Sequence, residues 1–229
     1  MQKLRRERLA GLTAFLTLLP GIAGCGSSAP PSDAELTVFV SAPVSGPDAA
    51  KGRAIVAGAE RALADAGDEA AGVPVRIEVV DVSAGGAPSS PVSAGANARE
   101  AVRDSTSIAY LGDLESRATR TSLPVTNDAE LLQIAPGSPA PDLVAPFEGS
   151  AEVPPETQPT GVRTYGRVTA GADPERRAYR ATAVALDAIE RADDPLSRGS
   201  VIEAFFAAGE HESVAGPYTV DEVGEIEFE

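Results

Sequence analysis

Residues 36–82 read LTVFVSAPVSGPDAAKGRAIVAGAERALADAGDEAAGVPVRIEVVDV, and their pattern decides the fold. Residues 36–40 form a short β-branched and aromatic run, and Pro43-Val44-Ser45-Gly46-Pro47 is turn chemistry, so a strand and a loop are predicted. Residues 49–66 are alanine-rich; Ile55, Ala59 and Leu63 fall on one helical face, and Gly67 stops the helix. From residue 73 to residue 82, Val75, Ile77 and Val79 alternate with Arg76 and Glu78, which predicts a second strand with Asp81 at its carboxyl end. Strand, helix and strand at this spacing make a parallel pair joined by a right-handed crossover.

The rhythm continues outward. A Gly/Pro/Ser stretch over 83–91 precedes a helix near 93–103. Residues 108–111 are a strand ended by Gly112-Asp113, and 116–129 are a helix that Pro124 must kink or restart. Residues 131–135 are the next strand. The segment 144–162 is Pro- and Glu-rich without periodicity and reads as an exposed linker. A short strand is expected at 164–168. Tyr179, Ala183, Leu186 and Ile189 mark the apolar stripe of a helix over 174–191. A last helix at 196–208 is capped by Gly209, and two short strands at 216–228 flank Asp221-Glu222-Val223-Gly224. The expected fold class is α/β, a mostly parallel sheet flanked by helices.

The N-terminus carries a different signal. Lys3, Arg5, Arg6 and Arg8 precede an apolar run over 9–19, which is shorter than the roughly 20 residues needed to span a bilayer. Ile22-Ala23-Gly24-Cys25 resembles the bacterial lipobox, in which the cysteine is lipidated. That resemblance implies a signal peptide over 1–24 and a lipid anchor on Cys25; the polar, Pro-rich composition that follows reads as a flexible stalk over 25–34. The protein would then be extracytoplasmic and tethered to the cell membrane. The alternative is a plain secretory signal with an incidental cysteine.

The chain of 229 residues has a net charge of −15, and removal of 1–24 moves it to −18. Such acidity disfavours nucleic acid and anionic lipid surfaces as partners, so membrane attachment rests on acyl chains at about 0.8 kcal/mol per buried CH₂. Trp is absent and aromatics make up 4%, so the core must be built from Ala, Val, Leu and Ile. Cys25 is the only cysteine, which leaves no disulfide within the chain.

Catalytic constellations are missing. His211 is the only histidine and sits in the polar stretch Gly209-Glu210-His211-Glu212, read as a turn. There is no H-E-x-x-H, C-x-x-C, G-x-S-x-G or Walker A sequence, and the acidic C-terminus lacks EF-hand spacing. The expectation is a protein that is not an enzyme, with no catalytic residue, cofactor or metal. In open α/β sheets ligands sit beyond the carboxyl ends of the strands. Those ends fall at 43–47, 81–83, 112–119 and 136–139, and Ser45, Ser116, Thr119 and Ser138 in these stretches are the candidate ligand-binding residues. Gly112-Asp113-Leu114-Glu115-Ser116 leads into a helix, whose first N–H groups suit a carboxylate; Ser116 acting as a plain N-cap fits the spacing equally well.

Pro43-Val44-Ser45-Gly46-Pro47 resembles the P-x-S-G-P signature of the type I periplasmic solute-binding proteins of the branched-chain amino acid group. The string from Ala109 to Thr119 is similar to that family's strand-to-helix loop. Leu123-Pro124-Val125-Thr126-Asn127, Ile134-Ala135-Pro136-Gly137-Ser138 and Arg163-Thr164-Tyr165-Gly166-Arg167-Val168 resemble the segments that follow. Residues 178–192, 201–206 and 214–221 resemble the closing ones, so the likeness runs over nearly all of 35–225. It implies an amino acid ligand, an ABC permease as partner and a two-lobed molecule. Two departures stand out. Val168 is followed almost at once by Asp173-Pro174, where the resemblance implies a whole second lobe of roughly 100 residues or more. What remains is a single lobe, 35–143 with 163–229 completing it. Pro139 stands where a hydroxyl residue is implied, and Arg117 where a small one is. Two readings follow: a solute-binding lipoprotein with weak or no binding, and a degenerate single-lobe envelope interaction domain without a transport role.

Overall fold

All seven residues of strand β1 (Leu36–Ala42) are buried, as a strand must be when helices cover both faces of its sheet. The computed structural model describes residues 33–83, 88–137, 140–168, 171 and 173–229. Cys25, the signal segment and nearly all of the stalk lie outside these residues.

After β1 come α1 (Ala49–Asp65), β2 (Glu69–Ala70), β3 (Val73–Asp81), α2 (Pro91–Arg103), β4 (Ser107–Leu111), α3 (Ser116–Asp128) and β5 (Leu132–Ala135). The second part holds β6 (Tyr165–Val168), α4 (Pro174–Arg191), α5 (Arg198–Phe205), β7 (Glu210–Ser213), β8 (Gly216–Val220) and β9 (Glu225–Phe228). Among the described residues the strands form one sheet in the order β2-β3-β1-β4-β5-β6-β9-β8-β7. The run from β3 to β9 is parallel, with antiparallel strands only at the two ends. Because β9 pairs with β6, the C-terminal segments complete the lobe begun by β1, as a single lobe requires.

The pleat of β1 divides the core. Val38 and Val40 face one side with α1, α4 and α5, while Phe39 faces the other with Val80, Tyr110 and the α2 residues Ala98 and Ala101. Scarce aromatics are offset by close backbones. Gly58 of α1 lies so near α4 that an added Cβ would stand 2.1 Å from the Glu175 carbonyl oxygen. The helix starts follow local chemistry: Ser90, Asp173 and Ser197 cap α2, α4 and α5 by accepting N–H bonds from Ser93, Glu175 and Ser200.

Several expectations are corrected here. α3 runs through Pro124 without restarting; Leu123 and Thr126 on either side are fully buried, and this packing outweighs the lost backbone donor. The Gly209–Glu212 stretch is not a turn, because Glu210–Ser213 pairs with β8 as an edge strand. Residues 144–162 carry no helix or strand, yet they are not an exposed linker throughout. They return the chain from β5 to β6 and bury Val144, Ser150, Thr157 and Gln158. Leu143 and Val144 pack with Leu123, Ala135 and Tyr165, taking the place a crossover helix would hold. The Arg163 guanidinium fastens the stretch by donating to the carbonyls of Val144, Ala151, Glu152 and Val223.

Candidate ligand site at the carboxyl edge of the sheet

From β1 the chain passes to β3 on one side and then returns to β4 on the other, so strand order reverses between β1 and β4. In open α/β sheets the loops on either side of such a reversal bound the usual ligand crevice. Residues 43–47 and 112–116 form its two sides.

Ser45 lies on the first side, held rather than open. Its Oγ donates to Asp81 Oδ2 at 2.7 Å, while Asp81 Oδ1 accepts the N–H of Val44 at 3.2 Å and of Ser83 at 2.8 Å. Partial burial pushes the Asp81 carboxyl up, but the bonds from Ser45, Ser83 and Val44 outweigh it and hold its pKa below the usual carboxylate range. The carboxylate at the end of β3 thus shapes the 43–47 loop.

Ser116 lies on the second side, at the first position of α3. Glu115 is the N-cap residue and makes no side-chain cap bond, so the plain N-cap reading of Ser116 is corrected. Its Oγ instead accepts the Ala140 N–H at 3.1 Å, tying the loop after β5 to the start of α3. Thr119 is fully buried beneath this loop; its hydroxyl accepts the Asp113 N–H at 3.3 Å and donates to the Glu115 carbonyl at 3.2 Å. It therefore supports the loop from below and presents no surface to a ligand. Ser138 and Pro139 lie outside the described residues.

Below the crevice runs a buried polar chain that sequence reasoning missed. Asp113 Oδ1 accepts from Ser41 at 2.7 Å and Oδ2 from Ser122 at 2.6 Å. Asn97 donates to Ser41 at 3.3 Å. Gln133 donates to Ser122 at 2.9 Å and to the Gly112 carbonyl at 2.8 Å, and accepts from Thr126 at 2.6 Å. These side chains come from β1, α2, α3 and β5 and meet at the loop after β4. Burial is the main effect on Asp113 and pushes its pKa up to about 6, against the hydroxyls that favour the charged form. Nothing in the local sequence marked Gln133, which falls in an apolar strand.

Arg177 was also missed. Gly137 after β5 packs against Leu114 so closely that a Cβ would lie 2.9 Å from its Cδ1 and 3.4 Å from Arg177 Nη2. Arg177 donates to the Gly171 carbonyl at 3.2 Å. It sits in the first turn of the helix that leaves the carboxyl end of β6, and that position was the signal for it. A guanidinium, the first N–H groups of α3 and the hydroxyl-lined loops thus share one edge, an arrangement suited to a small anionic or zwitterionic ligand. Among the described residues no group of three or more His, Cys, Asp or Glu could hold a metal ion, and no helix is long and apolar enough to cross a membrane.

This fold is that of the type I periplasmic binding proteins, as comparison with solved structures shows. A leucine-binding protein of Thermotoga maritima superposes with a TM-score of 0.63 at 12% identity, covering 83% of this chain and 93% of that one. An isoleucine-bound branched-chain amino acid substrate-binding protein of Streptococcus pneumoniae gives 0.61 at 11% identity, over 83% and 93%. A solute-binding protein of an ABC transporter of Rhodopseudomonas palustris, in complex with 3,4-dihydroxybenzoic acid, gives 0.63 at 11%, over 84% and 90%. At these identities the likeness is one of fold. No protein-family model and no curated protein matches the chain.

Proposed function

We propose that the chain is a lipid-anchored, extracytoplasmic solute-binding protein of the ABC-importer kind, taking a small carboxylate-bearing solute such as a branched-chain amino acid. The observation that carries this reading is the strand-order reversal between β1 and β4, which sets the 43–47 loop and the start of α3 on either side of one crevice. The ligand carboxylate lies at the first N–H groups of α3, beside Ser116, with Arg177 supplying positive charge at the same edge. Ser45 orders the opposite loop. The solved structures of this fold that hold isoleucine or leucine support the ligand class. No metal or cofactor enters the reading, and a permease is its expected partner.

A single lobe encloses less of a ligand than a closed pocket does, so binding is weak. Calorimetric titration of the mature chain with an amino acid panel should give dissociation constants no tighter than about 100 μM for leucine, isoleucine and valine. Ser116→Ala and Arg177→Gln should weaken that binding further. A panel without any response, or binding unchanged in both variants, would remove the carboxylate site.

A second reading, an envelope interaction lobe without transport, has one observation in its favour. The hydroxyls of Ser45 and Ser116 both serve internal hydrogen bonds, so the crevice is braced by its own polar groups.

A further inference from the structure

A cavity of about 460 Å³ lies apart from the strand-end crevice, between residues 141–150 of the crossover and the turn joining β8 to β9. That volume is in the range of small-molecule sites. Pro146, Val144 and Val223 line it with apolar surface. Its two walls are tied together, since Arg163 donates to the Val144 carbonyl on one and to the Val223 carbonyl on the other. The slot is therefore held open by the fold rather than formed by a loose loop.

Phe147 lines the same cavity and is 64% exposed, an aromatic ring that the core does not use. Five carboxylates share the walls, and three of them are engaged. Asp142 pairs with Arg120, Glu225 pairs with Arg167, and Asp221 accepts the N–H groups of Val223 and Glu225. Glu148 and Glu222 make no ion pair or side-chain hydrogen bond among the described residues. The Arg163 charge acts on Glu222 through space, but its N–H groups are given to backbone carbonyls. An apolar slot with an open aromatic face and surplus negative charge at its rim selects a cation with an apolar body. The apolar walls and the open aromatic face suit a cation with an organic body.

We infer that this cavity binds an organic monocation of the aralkylamine class, its ammonium group set between the Phe147 ring and the carboxylates of Glu148 and Glu222. The site is independent of the crevice between β1 and β4 and of the reading proposed for it.

Phenethylamine tests the inference on the intact mature chain, with 3-phenylpropionate as an anion of nearly the same shape. The amine should bind with a dissociation constant on the order of 1 mM or tighter, and the anion should not bind here. Amide resonance shifts should cluster at 141–150 and 221–225. Phe147→Ala should weaken the amine about tenfold, and Glu148→Gln with Glu222→Gln about threefold. All three side chains are exposed, so the unfolding midpoint of each variant should match the parent. Resonances that stay still at roughly 10 mM amine, ten times the expected constant, would overturn the site. So would shifts centred on 112–119, an equal response to phenylpropionate, or unchanged amine binding in Phe147→Ala.

Discussion

Asp113 carries a carboxyl group wholly out of water, and its consequences can be worked out from its neighbours. Ser41 and Ser122 donate to it, Thr119 accepts its backbone N–H, and Tyr110 on β4 also acts on it. The folded pKa of about 6 is raised above the ordinary 3.8. A raised carboxylate contributes stability at low pH and loses it as pH rises. Below pH 4 both folded and unfolded states hold the proton. Between pH 4 and 6 the unfolded chain ionises first, and above pH 6 the full penalty, on the order of 3 kcal/mol, is present. Asp81, Asp104 and Asp142 have depressed values and act in the opposite sense, their stabilisation lost as pH falls below 4. Urea midpoints of the parent should therefore fall between pH 4 and 6, and Asp113→Asn should flatten that fall. Parallel profiles for parent and variant would show that Asp113 is not the group responsible. Ser45 and Asp81 were legible in the sequence because both stand at predicted strand ends. Asp113 was also at such an end, yet its burial was not legible, because it depends on Ser41, Ser122 and Gln133 arriving from three other elements.

The crossover between β5 and β6 shows how an irregular element is held. Its residues lack helical or strand periodicity, so nothing local orders them; the order comes from Arg163, Gln158 and Thr160. Gln158 accepts the Thr164 N–H at 2.9 Å, and Thr160 bonds to Asn127 Oδ1 through both N–H and hydroxyl. Arg163 donates to three carbonyls of the stretch, those of Val144, Ala151 and Glu152, and Asn127 makes three further bonds to it, at Thr160 and Val162. Arg163→Ala should leave the sheet folded, with its far-ultraviolet dichroism unchanged, but should open residues 144–162 to thermolysin. Loss of each bond to a charged group typically costs about 1.5–3 kcal/mol, enough to raise cleavage at least tenfold. Cleavage sites and rates identical to the parent would mean that Val144 and Leu143 packing alone secures the segment. The edge strand β7 is an element of the other kind. Its Glu-His-Glu-Ser sequence has no strand propensity, and it forms because β8 offers an unpaired edge; its charges then guard the outer edge against further pairing. His211 takes its hydrogen bond with the Ala207 carbonyl at 2.8 Å from that placement.

For the whole molecule, acidity and attachment belong together. With residues 1–24 removed from the chain of net charge −15, the resulting −18 repels anionic lipid headgroups, so a membrane-bound form depends on the proposed acyl chains at Cys25. Cys25→Ala should move the protein from the membrane fraction to the soluble one. Retention of the variant on membranes after a high-salt wash would exclude the lipid anchor. Among the described residues the exposed large apolar side chains are Val92, Phe147, Val162, Leu196 and Val214, and only Phe147 and Val162 share a segment, the crossover between β5 and β6. The lobe therefore shows scattered apolar residues rather than a face suited to a large partner.

The sequence by itself determined the order of strands and helices along the central sheet. Period-2 and period-3.6 patterns, Ser and Asp caps and Gly stops are local signals, and in α1, α4 and β1 they agreed with what packing requires. It also put the loops after β1, β4 and β5 at one carboxyl edge, since alternating strands and helices leave little choice about which loops share it. Only the tertiary structure decided what those loops do. Whether the Ser116 hydroxyl caps its own helix or binds Ala140 depends on where the loop after β5 returns. Whether Pro124 interrupts α3 depends on Leu123 and Thr126 being buried together. The pairing of β7, the burial of Asp113 and the arrival of Arg177 beside Gly137 likewise join residues far apart in the chain, and their energies arise from desolvation and contact that exist only once the sheet has closed.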